Sequence, residues 1–98
     1  MITTNAIANV VREIAPKYGI SSVYLFGSHA RGDASEDSDC DFRIEGGNIR
    51  SLLDLSGLYQ DLEEALGTNI DIVLTKNINP AFRDEIRKEE VLIYAQAQ

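Results

Sequence analysis

Five carboxylates, Asp33, Glu36, Asp37, Asp39 and Asp41, crowd into nine residues shortly after the pair Gly27-Ser28. A glycine turn followed by a small hydroxyl residue lets backbone N–H groups approach phosphate oxygens. Carboxylates repel phosphate, so a cation has to reconcile the two halves of the segment GSHARGDASEDSDCD. Two familiar devices are excluded, each by two residues. Gly27, four residues and Gly32 open a Walker loop, but Asp33 and Ala34 stand where its Lys and Ser/Thr belong. Asp37, Asp39 and Asp41 match the first ligands of a calcium loop, yet Phe42 replaces its glycine and Asn48 its final glutamate. Ser28 beside His29 is not a nucleophile and base by adjacency alone, and no GxSxG elbow surrounds it.

The elements around these residues suggest how they are positioned. Ser22 to Phe26 is β-branched and aromatic enough for a buried strand running straight into Gly27. Beyond the acidic loop, Cys40, Phe42 and Ile44 alternate with Asp39, Asp41, Arg43 and Glu45, the period of a strand with one polar face. Asp39 and Asp41 are then expected on that face, roughly 7 Å apart at their Cα atoms. In Asn69 to Leu74, NIDIVL, Asp71 adds one carboxylate to an otherwise apolar strand. Paired carboxylates of this kind suit two Mg²⁺ ions about 3.5 to 4 Å apart, bridging carboxylate and phosphate oxygens.

The remaining periodicities frame the sheet. Ile7, Val10, Val11, Ile14 and Tyr18 lie on one helical face, capped by Thr3, Thr4 or Asn5 and interrupted near Pro16. Leu55, Leu58, Tyr59, Leu62 and Leu66 form a second stripe from Ser51 to Gly67, read as core. Asn79-Pro80 opens a short helix through Phe82 and Ile86, and Val91 to Tyr94 is an expected edge strand. The fold class is α/β (α+β): a small mixed sheet with helices packed on it, one domain over residues 1–98.

Composition narrows the partners. Nine Lys and Arg against 16 Asp and Glu give a formal net charge of -7, which disfavours stable nucleic-acid binding and favours metal ions or a basic protein. No apolar run is long enough for a bilayer, so no membrane partner is expected. The start, MITTNAIANVVREIAPKYG, lacks the pattern of a secretory signal, and the single Cys40 has no disulfide or zinc partner; a cytoplasmic location follows as the expectation.

The arrangement GSX10DXD, here Gly27-Ser28 and Asp39-x-Asp41, resembles the signature of the DNA polymerase β-type nucleotidyltransferase superfamily. The string LFGSHARGDASEDSDCDF, the Asp in NIDIVL and the closing VLIYA resemble the minimal nucleotidyltransferases, the antitoxin partners of HEPN-domain toxins, across essentially the whole chain. The resemblance implies the nucleotidyltransferase fold and a catalytic, metal-holding set of Asp39, Asp41 and Asp71, with Asp71 assisting deprotonation of an acceptor hydroxyl. It also implies nucleotide binding by Gly27 and Ser28. Arg31 would add a cation to the phosphates or be an exposed structural arginine. The implied reaction moves AMP from ATP, with Mg²⁺, to a tyrosine of the cognate HEPN toxin and releases pyrophosphate.

Blander readings accompany each residue. A DSD run alone is usually a solvated loop, Ser28 can serve as a helix N-cap, Asp71 can be a surface residue, and His29 is expected to face solvent. Cys40 is read as core; Arg43, on the site face, is left to Glu45, Asp71 or nucleotide. Two alternatives stand beside the enzyme: an antitoxin acting by stoichiometric binding, and nucleotidyl transfer to a small molecule. Homo-oligomers are left open.

Overall fold

The computed structural model describes residues 2–96. Helix α1, Thr4–Ile14, is capped by Thr3, whose side chain accepts from the Ala6 N–H; a 3₁₀ turn, Ala15–Tyr18, takes over where Pro16 removes a donor. Gly19, with φ of 64°, ends the turn in a left-handed conformation and delivers the chain into β1, Ile20–Phe26. After the single turn α2, Ser28–Arg31, and the acidic loop come β2, Cys40–Gly46, α3, Leu52–Leu66, β3, Ile70–Leu74, α4, Pro80–Arg87, and β4, Val91–Ala95. The Ser51 side chain accepts from the Asp54 N–H at the start of α3, and Asn79 caps α4 through Ala81 and Phe82.

The four strands form one mixed sheet in the order β3-β2-β1-β4. Strand β1 runs antiparallel to β2 and β4, whereas β3 runs parallel to β2, which requires the crossover that α3 provides. This is the small mixed α/β sheet expected from the sequence, with β4 at an edge.

Alternation divides the sheet into two faces. On one, Val23, Leu25, Cys40, Phe42, Ile44 and Ile70 meet Ile7, Val11 and Ile14 of α1 and Leu58, Leu62 and Leu66 of α3. Cys40 is a fully buried core residue, as its place in the alternation suggests. On the other face, Phe26 packs edge-to-face against Phe82 of α4, with ring centroids 6.1 Å apart, while Ile86 is buried. Arg43, on the same side as Phe26, is 1% exposed; its Nε and Nη2 donate to Glu90 at 2.8 and 3.0 Å, and its guanidinium lies 4.0 Å from the Tyr24 ring centre. Among the described residues, no helix is long and apolar enough to cross a membrane.

Candidate functional site

Strand register brings the candidate residues to one end of the sheet. Phe26, the last residue of β1, pairs with Asp41 of β2, and Asp41 pairs in turn with Asp71 of parallel β3. The turn Gly27-Ser28 therefore leaves β1 directly beside Asp41, with Asp71 one strand further on. Gly27 adopts φ 77° and ψ −154°, a conformation reserved for glycine, and a Cβ placed there would collide with Asp41 Oδ2. The glycine is thus needed for both backbone shape and close approach.

Asp39 sits differently from expectation. Strand β2 starts at Cys40, so Asp39 belongs to the preceding loop and is exposed, whereas Asp41 is half-buried. A Ser35–Ser38 turn, with Ser35 N–H donating to Ser38 Oγ at 2.8 Å, shapes that loop. The Cys40 N–H donates to Asn69 O at 3.0 Å, tying its end to the start of β3. Asp33, Glu36 and Asp37 are solvated, in keeping with a minor role.

Burial raises the pKa of Asp41, and the charges of Asp71 and then Asp39 raise it further, while His29 and Arg31 pull it down. Asp41 therefore senses both Asp71 and Asp39. Among the described residues, however, no group of three or more His, Cys, Asp and Glu side chains is gathered closely enough to hold a metal ion. The donor chemistry still fits Mg²⁺: hard carboxylate oxygens come from adjacent positions on two strands and from the loop beside them.

The Gly27–Arg31 side of the site holds a residue that sequence reasoning missed. The Gly27 N–H donates to Glu89 Oε1 at 3.1 Å, and Arg31 Nη1 donates to Glu89 Oε2 and Oε1 at 3.0 and 3.3 Å. Arg31 Nε also donates to Asp33 Oδ2 at 3.2 Å. These bonds, led by that to Glu89, raise the pKa of the half-exposed Arg31. Glu89 lies 62 residues from Gly27 in the chain, and no local pattern pointed to it.

Three further residues depart from their sequence readings or resolve them. Ser28 does not cap α2: Gly27 holds the N-cap position and no side-chain capping bond is made. His29 turns inward rather than to solvent; it is 9% exposed, and its Nε2 has no hydrogen-bond partner. Arg43 pairs with Glu90 and, at 3.6 Å, with Glu45, not with Asp71, so it leaves the carboxylates of the site unclaimed.

A glycine turn at the end of a strand, beside carboxylates on neighbouring strands of a small mixed sheet, is the framework of nucleotidyl-transfer enzymes. Residues 9–98 match the family described as Polymerase beta, Nucleotidyltransferase, and the chain belongs to that family. A Methanocaldococcus jannaschii protein assigned to the protein adenylyltransferases is 40% identical over 88 residues, covering 87% of this chain and 95% of its own. Protein adenylyltransferase MntA of Thermococcus cleftensis is 30% identical over 97 residues, covering 95% and 98%.

Among solved structures, a minimal nucleotidyltransferase superposes with a TM-score of 0.78 at 33% identity, covering 92% of this chain and 95% of that one. A toxin-antitoxin complex with AMP-PNP superposes with a TM-score of 0.76 at 22% identity, covering 97% and 75%, and shares the fold. The chain is a nucleotidyltransferase of the protein adenylyltransferase kind.

Proposed function

We propose that this protein is the antitoxin of a HEPN/MNT pair and transfers AMP from ATP to a tyrosine hydroxyl of its HEPN-domain toxin. The observation that carries the reading is the strand register that puts Asp41 beside both Asp71 and the end of β1, where Gly27 begins the turn. A nucleotide held by the Gly27 N–H, Ser28 and Arg31 would present its phosphates to the carboxylates. Asp39, Asp41 and Asp71 would hold Mg²⁺, two ions in the full site. When bound, the metal supplies charge neutralisation between carboxylates and phosphates.

The tyrosine oxygen attacks the α-phosphorus, forming one P–O bond as the bond to the β-phosphate bridge breaks. Pyrophosphate leaves with that electron pair, and the exposed Asp71 carboxylate receives the hydroxyl proton. The tyrosine then carries AMP, whose bulk and negative charge change the toxin's surface chemistry. The toxin-antitoxin name of a structural neighbour and the protein adenylyltransferase name of a 30% identical relative support a toxin protein as the partner.

The test is intact mass spectrometry of the toxin after incubation with this protein, ATP and Mg²⁺. The wild type should add one or more AMP units, and an Asp39→Ala, Asp41→Ala double variant should add none. Undiminished transfer by the double variant would remove these residues from the chemistry. Full toxin neutralisation without any mass gain would instead establish a stoichiometric binder.

A further inference from the structure

Glu89 occupies the position where an anionic ligand would make the same contacts. Its carboxylate accepts from the Gly27 N–H and from Arg31 Nη1, two of the donors assigned above to nucleotide phosphates. A carboxylate and a phosphate oxygen compete for such donors because both are anionic acceptors of similar reach. The placement is built by structure on both sides. Just past α4, Glu89 and Glu90 N–H groups both donate to Ile86 O, and Ile86 is 1% exposed. The neighbouring Glu90 is gripped by the buried Arg43. Two consecutive glutamates thus engage two different arginines: Glu90 fixes the corner, and Glu89 reaches from it across the glycine turn. Of the two pairs, Arg43–Glu90 is buried, whereas the Arg31 and Glu89 side chains are 47% and 29% exposed. The outer pair is the one that can open at small cost.

We propose that Glu89 is an internal competitor for the phosphate end of the nucleotide, closing the Gly27–Arg31 site until a polyphosphate displaces it. This rests on the reading that Gly27 and Arg31 receive phosphates. Displacement leaves the Arg43–Glu90 anchor in place and moves one side chain, so exchange requires no rearrangement of the sheet. The apparent affinity for nucleotide is lowered by the fraction of molecules in which Glu89 holds the site. The competitor also selects against weak anions: inorganic phosphate supplies fewer contacts than a triphosphate with which to displace a tethered carboxylate.

Equilibrium binding with Mg²⁺ tests this, using a non-hydrolysable ATP analogue, tripolyphosphate and adenosine as separate probes on wild type, Glu89→Gln and Glu89→Ala. Both variants should bind the analogue and tripolyphosphate about three- to tenfold more tightly, with adenosine affinity unmoved. Circular dichroism and thermal melting identify any variant that has not folded, and the near-isosteric glutamine then decides. Weaker or unchanged polyphosphate binding by folded Glu89→Gln overturns the competitor role and makes Glu89 a residue that orients Arg31 or the corner. Binding by the variants alone supports it. If neither wild type nor variants bind the analogue or tripolyphosphate, both this inference and the phosphate-site reading fail; wild-type binding without the predicted gain defeats this inference only.

Discussion

Arg43 shows how a single side chain on a polar strand face can be structural. Alternation puts it on the same side as Asp41, and its charge made a carboxylate or nucleotide contact the natural expectation. Besides the expected Glu45 at 3.6 Å, the structure gives it two hydrogen bonds from Nε and Nη2 to Glu90, one from Nη1 to Thr75 Oγ1 at 2.8 Å, and the face of Tyr24. Burial disfavours its charge, but the Glu90 hydrogen bonds and charge, aided by Glu45, prevail and raise its pKa. Removing one member of such a pair leaves the other charge buried and unmatched, which costs more than the pair itself contributes. Arg43→Ala should therefore lose about 3–5 kcal/mol of stability, seen as a lower urea midpoint at unchanged slope. Arg43→Met with Glu90→Gln should recover part of that loss, since no lone charge remains. A loss within experimental error for the single variant would mean that water solvates Glu90 and that the corner carrying Glu89 is not anchored as described.

At the scale of elements, the sequence carried most of the local structure and little of what joins distant segments. Strand alternation in β2, the stripe of α3, the interruption at Pro16 and the helix starts at Ser51 and Asn79 all arise from interactions within a few residues, and each was legible. Asp39 falling outside β2, His29 turning inward and Glu89 reaching Gly27 depend on packing between segments, which residue types alone do not specify. Tyr18 belongs to both groups. Its place at the end of the first helical face was readable, but its partner, Asp61 of α3, lies 43 residues away. The Tyr18 hydroxyl donates to Asp61 Oδ2 at 2.8 Å, and its pKa rises from 10.0 to about 12 through burial, then the Asp61 hydrogen bond and charge, then Asp54. The neutral phenol is favoured by folding, so its contribution is complete below pH 10 and disappears as pH rises through about 12. Tyr18→Phe should cost about 1–2 kcal/mol near neutrality. In denaturation curves across the alkaline range, the difference between wild type and variant should shrink over that window. A constant difference would mean that the loss comes from packing rather than from the proton on Tyr18.

For the whole molecule, the net charge of -7 makes the location of the positive charges decisive. Arg31 and Arg43 are already paired with Glu89 and Glu90, while at the sheet end the Asp41 pKa is raised by burial and then by the charges of Asp71 and Asp39. Folding therefore carries a local repulsion that a divalent ion at these carboxylates would relieve, linking metal binding to stability. At ten times its Kd, Mg²⁺ bound only by the folded state would add about 1.4 kcal/mol, or about 5–10 °C in Tm for a chain of this size. General screening of a negative protein would also stabilise it, so the control is NaCl at equal ionic strength. The specific effect is a saturable rise with Mg²⁺ beyond that control. The Asp39→Ala, Asp41→Ala variant should begin with a higher Tm in the absence of Mg²⁺, because repulsion is gone, and should respond equally to the two salts. If wild type also responds equally to them, the carboxylates are a solvated acidic surface in the nucleotide-free protein, and any metal must arrive with the nucleotide.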